Sequence, residues 1–191
     1  EADAVILYEE PEAGNRDALG FNSSSRPEQR EPLIAARDTG EVRASRPMRL
    51  AQRPDAGPGL VLRMAVYAGS DVPATVPARR EAFAGYVNAV FLMKELARDA
   101  ADRLAVDGIR VVAWDVTERD SPARFLDAGR EKTARWWHRL AWGGFERRVE
   151  VPVHGRNWVL EFQAGPTFYR KWESLTGWLA GLMVLGFFAL L

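Results

Sequence analysis

Gly59–Ala105 reads GLVLRMAVYAGSDVPATVPARREAFAGYVNAVFLMKELARDAADRLA, and its hydrophobic period changes along the way. Leu60, Leu62, Met64 and Val66 recur every second residue, as one face of a strand does. Phe83, Gly85, Val87, Ala89 and Phe91 repeat that pattern. Between them, residues 68–82 carry Gly, Pro, Ser and Asp and read as a loop. From Leu92 the period becomes four. Leu92, Leu96, Ala100 and Leu104, separated by Lys94, Glu95, Arg98, Asp99, Asp102 and Arg103, describe an amphipathic helix. Strand, loop, strand and helix in succession predict an antiparallel meander in an α+β fold.

The same logic extends in both directions. Upstream, Val42–Leu50 reads as a third strand, joined to Leu60–Tyr67 by RPDAGPG. Before it, RPEQREPLIAARDTG predicts a helix with Ser25 as N-cap, Pro27 in the first turn and Gly40 just past the end. Pro32 must fall in an early turn or bend that helix. The stretch from Glu10 is loop-like, and Val5–Glu9 is short and β-prone. Downstream come a strand at Ile109–Val116, a polar loop and an aromatic helix EKTARWWHRLAW. Two strands, FERRVEVPV and NWVLEFQA, then flank a tight HGR turn. The result is a second, smaller β unit.

Composition narrows the functional classes. The 191 residues are 47% hydrophobic and 27% charged, enough for a core and unlike collagenous or disordered chains. The formal net charge is 0, so nothing points to nucleic acid as a partner. Cysteine is absent, which excludes disulfides, thiolate zinc sites and a Cys nucleophile. The two histidines, His138 and His154, stand in neither HxxxH nor HExxH spacing, so no metal is expected. No GxSxG elbow or phosphate-binding Gly-rich loop is present, and neither cofactor nor catalytic residue is predicted. Glu9 with Glu10, and Asp115 with Glu118, are carboxylate neighbours that do acid–base work only if buried together. On loops they read as solvated.

The end of the chain raises a different expectation. Leu175–Leu191 has no charged residue, carries Gly177, Gly181 and Gly186, and has Trp172 and Trp178 at its leading edge. That suits the start of a transmembrane helix over 173–191, cut by the end of the sequence; a buried C-terminal helix is the alternative. Arg170 and Lys171 just before it run against the positive-inside rule. The first residue is Glu, which reads as a cut or processed end.

The stretch GFNSSSRPEQREPLIAARDTGEVRASRPMRLAQ, with GLVLRMAVY and RREAFAGYVNAVF, resembles the CHASE family. These are extracytoplasmic sensory domains of transmembrane histidine kinases and nucleotide cyclases, plant cytokinin receptors among them. The residues carrying the likeness are the ARDTG helix end, P-x-R-L in the next strand, VY closing the third strand and AGY with Phe in the fourth. VVAWDVT and GRNWVLEFQAGPTF are similar to the family's membrane-proximal half. The resemblance covers most of Ile6–Phe168.

The resemblance implies two PAS-like units, each an antiparallel sheet flanked by helices: a membrane-distal unit over 1–91, a connecting helix over 92–105 and a proximal unit over 106–172. A membrane helix would follow from residue 173, with a kinase or cyclase effector beyond residue 191. It further implies a non-enzymatic, periplasmic domain held at the cell inner membrane and acting as a homodimer. In ligand-binding relatives the pocket lies in the distal unit, where an Asp bonds an adenine-type ligand and a backbone group completes the clamp. Spaced from RE and DTG, the Asp position falls on Asn22 and the backbone position on Ala44 or Ser45. Leu62, Met64, Tyr67, Gly85 and Tyr86 complete the expected set.

Asn22 departs from the family in a way that matters. An amide carries no charge, so it cannot hold a cationic or donor-rich ligand as Asp does. Ala65 replaces a proline usual before VY, and Asn88 stands where small residues are common. Cytokinin binding is therefore not carried over, and the expected partner is an unnamed small molecule. Plainer readings stand beside these. Asn22 also suits a turn. Leu62, Met64 and Val66 are core in either case, and Tyr67 and Tyr86 can face ligand or solvent. Arg63 can pair with an anionic ligand, although a surface position is commoner for Arg. Two further functional readings remain: a non-binding dimerisation module of such a receptor, and a tail-anchored cytosolic enzyme with an unrecognised site.

Overall fold

The computed structural model describes residues 4–50, 53–129 and 146–169. The expected aromatic helix at 131–142 and membrane helix at 173–191 lie outside the described residues. Among the described residues no helix is long and apolar enough to cross a membrane. The fold is α+β, with two four-stranded antiparallel sheets and few helices. Two compact units are present. One comprises Glu1–Leu96, Trp114–Phe125 and Glu150–Trp158; the other comprises Ala97–Ala113, Leu126–Val149 and Val159–Leu191.

Helix α1 spans Pro27–Thr39, with Gly40 left-handed at φ 74° and its N–H bonded to the Ala36 carbonyl. A Cβ on Gly40 would fall 2.6 Å from Val72 Cγ1, so a larger residue would also have to push that exposed side chain aside. The N-cap is Arg26 rather than Ser25. Ser25 instead ends a 3-10 turn, Ser23–Ser25, and spends its hydroxyl on the Asn22 carbonyl. Pro27 occupies the first helical position, where its missing N–H costs nothing.

The expected strand at 42–50 is two short pieces, β1 (Arg43–Ala44) and β2 (Met48–Arg49). Both pair antiparallel with β3 (Pro58–Tyr67), and the register moves by one residue between them: Ala44 faces Leu62, whereas Met48 faces Gly59. The break has a physical cause. Pro47 has no N–H to give, and the Ser45 hydroxyl takes the Val61 N–H at 3.1 Å in place of a carbonyl. On the other side of β3 runs β4 (Phe83–Leu92), paired from Gly59↔Leu92 to Tyr67↔Phe83 with a bulge between Val66 and Tyr67. Leu50, Val61 and Leu92 form a small buried cluster at one end. Val5–Glu9 is not a strand: Val5 makes a single bridge to Asn22.

Two elements escaped the hydrophobic pattern. Helix α2 (Val76–Glu81) lies within the supposed loop, capped by Thr75, whose Oγ1 accepts from the Ala78 N–H at 3.4 Å. Strand β6 (Ala123–Ala128) follows β5 (Ile109–Asp115) and precedes β7 (Glu146–Val153) and β8 (Arg156–Ala164), in sheet order β6-β5-β8-β7. His154 and Gly155 turn β7 into β8 with φ of 45° and 86°, the double left-handed turn that two-residue hairpins favour. Helix α3 spans Met93–Val106. Its less exposed positions are Met93, Ala97, Ala101, Leu104 and Ala105; of the expected stripe within the helix Leu104 is among them, whereas Leu96 and Ala100 are exposed.

The sharpest correction concerns β3. Gly59 and Leu60 are buried at its start, but beyond them the buried positions are Val61, Arg63, Ala65 and Tyr67, while Met64 and Val66, expected in the core, are 46% and 38% exposed. Both alternating sets are apolar apart from Arg63, so period two alone cannot choose between them. Helix α1 decides, because it covers the Arg63 face.

Candidate functional site

The inward face of α1 presents Gln29, Pro32, Leu33 and Ala36, all buried. Three polar contacts tie this face to the sheet. Tyr67 donates its hydroxyl to the Arg37 carbonyl at 2.5 Å, and Tyr86 donates to the Leu33 carbonyl at 2.9 Å. Arg63 Nη2 donates to Gln29 Oε1 at 2.5 Å. Burial raises the pKa of both tyrosines, so each hydroxyl keeps its proton and acts as a donor.

Arg63 is the unusual member. It is 1% exposed, and its Nε has no hydrogen-bond partner. Nη1 reaches only to Asn88 Oδ1 at 3.4 Å, directly across the strand pair. Gln29 is held in turn, its Nε2 lying 3.1 Å from Met48 Sδ. Among the described residues no carboxylate pairs with Arg63. Burial lowers its pKa to about 10, which still leaves a full cation at neutral pH. A buried donor without a partner costs about 1–3 kcal/mol, more when charged.

The C-terminal turn of α1 is clipped by α2. Arg80 donates to both carboxylate oxygens of Asp38, and Arg37 Nε donates to Oδ1 at 2.8 Å. Arg80 first and then Arg37 hold the Asp38 carboxyl well below the usual carboxylate range. Arg79 reaches the Asp38 carbonyl at 2.8 Å and the Pro73 carbonyl at 2.6 Å. These bonds satisfy carbonyls at the helix end and place positive charge where the helix dipole favours it.

A second polar cluster is saturated. Asp115, at the end of β5, is buried and ion-paired with the Arg156 guanidinium, while Thr117 donates from N and Oγ1 to Asp115 Oδ1 at 3.1 and 2.7 Å. Glu118 accepts from Arg46 and lies 3.5 Å from Arg156 Nη2. The expectation that Asp115 is solvated is therefore corrected. Its carboxylate oxygens are committed to Arg156 and Thr117. An open depression of about 380 Å³ over Pro27, Arg30, Glu31, Ile34, Ala35 and Asp38 lies on α1 away from the buried face and contains none of the expected site residues. Among the described residues no group of three His, Asp or Glu side chains could hold a metal.

The eight residues expected at the site do not converge. Tyr67 and Tyr86 share the α1 side of the sheet. Leu62, Met64 and Gly85 lie on the opposite face, with Ala44 paired to Leu62. Ala44 is buried and donates its N–H to the His154 carbonyl at 2.9 Å. Ser45 is buried within the ladder. Asn22 precedes α1, and its Oδ1 accepts from Ser24 N, Ser24 Oγ and Ala4 N. Sequence reasoning missed Gln29 and Leu33, and of its two readings of Arg63, partner of an anion or surface charge, the surface position is excluded by burial. The available signal was a lone cation within LVLRMAV, combined with a helix face of Gln29, Leu33 and Ala36.

A family model, the CHASE domain, matches residues 1–126. No curated protein matches the chain.

Proposed function

The chain belongs to the CHASE family of extracellular sensory domains, and from that premise we propose that it binds a small molecule between α1 and the β3–β4 pair. CHASE domains are sensory rather than catalytic. The observation that carries the reading is the polar cluster of Gln29, Arg63, Tyr67 and Tyr86 in a helix–sheet interface. A purely structural packing would be filled more cheaply by apolar side chains. Ligand sites, by contrast, are mostly apolar with a few convergent polar groups.

In this reading the domain is the periplasmic part of a receptor in the cell inner membrane, of the histidine kinase or nucleotide cyclase kind, and acts as a homodimer. Residues 1–91 form the membrane-distal PAS-like unit, 92–105 the connecting helix, 106–172 the proximal PAS-like unit and 173–191 the start of the membrane helix. Ligand favours one packing of α1 on the sheet over another, and only the difference in affinity between the two packings drives signalling.

The test is thermal unfolding of the 191-residue chain in mild detergent against purines, amino acids and small carboxylates. A ligand that binds the native state alone raises the midpoint with concentration. A cooperative melt that no compound moves would favour a non-binding dimerisation module.

A further inference from the structure

Arg63 is a cation sealed between α1 and β3 whose neighbours supply dipoles but no charge. Gln29 and Asn88 are amides, and Tyr86 is a protonated phenol. Gln29 grips one terminal nitrogen at 2.5 Å, Asn88 touches the other at 3.4 Å, and Nε is uncommitted. The nearby arginines do not share its position: Arg37 and Arg80 both bond the single carboxylate of Asp38, and Arg79 is spent on backbone carbonyls.

One unmatched positive charge with an open donor is complementary to one negative charge with acceptor oxygens. We propose that the sensed ligand is a small organic monoanion whose carboxylate pairs with the Arg63 guanidinium. This rests on the sensor reading given above. The approach is from Asn88, which is exposed on β4, stands directly opposite Arg63 and holds Nη1 by one long amide contact that a carboxylate can displace. A dianion such as phosphate would carry an unbalanced charge into the same interface, which the single cation does not neutralise. Since Gln29 sits on α1, pairing at Arg63 bears directly on how that helix packs against the sheet.

The experiment is thermal unfolding of the full chain with sodium formate, sodium acetate or inorganic phosphate at constant ionic strength, with adenine as a neutral probe. Three proteins are compared: wild type, Arg63→Met and Gln29→Glu. Gln29→Glu places a carboxylate where the Arg63 partner is now an amide. It is expected to raise the midpoint without any probe and to abolish the response to carboxylates. In wild type, formate or acetate is expected to raise the midpoint by roughly 5–10 °C at a hundred times its dissociation constant, and Arg63→Met is expected to show no such rise. If Arg63→Met does not fold, Gln29→Glu decides the matter alone. Equal carboxylate shifts in wild type and Gln29→Glu would overturn the inference, as would no carboxylate shift in wild type or a shift with phosphate only. An adenine shift without a carboxylate shift would overturn it while leaving the sensor reading intact. A cooperative melt unmoved by every probe would remove both.

Discussion

Tyr86 on β4 donates to the Leu33 carbonyl of α1 at 2.9 Å, one helical turn before the Arg37 carbonyl that accepts from Tyr67. Two phenols from neighbouring strands thus hold consecutive turns of one helix against the sheet. The Leu33 carbonyl lies inside the helix ladder, whereas the Arg37 carbonyl belongs to the last turn and takes no backbone donor among the described residues, so Tyr86 docks α1 and Tyr67 also satisfies its C-terminal end. Tyr86→Phe and Tyr67→Phe are each expected to lower unfolding free energy by about 1–2 kcal/mol. Urea denaturation of the two variants and of the double variant measures this.

The choice of buried face on β3 makes a separate prediction. Val61 packs with Leu50 and Leu92, whereas Val87, across from Met64, is 55% exposed. Val61→Ala is expected to cost about 2 kcal/mol, and Val87→Ala less than about 0.5 kcal/mol. Denaturant midpoints compared at equal slope report both values. Similar costs at the two sites would mean that the faces are assigned wrongly.

How far the sequence alone reaches is clear from these same residues. Helix α1 was legible because Pro27 and Gly40 mark its ends chemically, and β3 and β4 because alternation persists over seven or more residues. Helix α2 was not, since six residues carry less than two turns of pattern. Strand β6 shows little alternation beyond Phe125, which is buried against Trp158 with ring centroids 4.7 Å apart. Of the residues in the candidate cluster, the sequence analysis named Tyr67 and Tyr86 and, as one of two readings, Arg63. Leu62 and Arg63 are adjacent on one strand, and which of them faces inward depends on where α1 packs. That is a tertiary fact invisible in a period of two.

Asp38 gives the domain a defined acid response. Its carboxyl is held below its ordinary value of 3.8 by Arg80 and Arg37, so in the acidic range the unfolded chain binds more protons than the folded one. Stability from this group is complete above about pH 5 and declines as pH falls below about 4. Unfolding midpoints between pH 2 and 6 should show wild type above Asp38→Asn at the upper end, with the gap closing toward the lower end. A constant gap would show that the ion pairs contribute nothing.

Asp115 and Arg156 behave as a unit because both are buried. Removing the carboxylate alone strands a buried guanidinium, so Asp115→Ala is expected to cost about 3–5 kcal/mol. Replacing both, as Asp115→Leu with Arg156→Met, should recover most of that loss. Chemical denaturation of the single and double variants gives the coupling directly.

The placement of the sensory site is tested most directly by amide hydrogen exchange of the full chain, with and without a compound that raises its unfolding midpoint. A ligand held between α1 and β3 slows exchange in Pro27–Thr39 and Pro58–Tyr67. Protection confined to Ile109–Asp115 and Arg156–Ala164, with α1 unchanged, would contradict it.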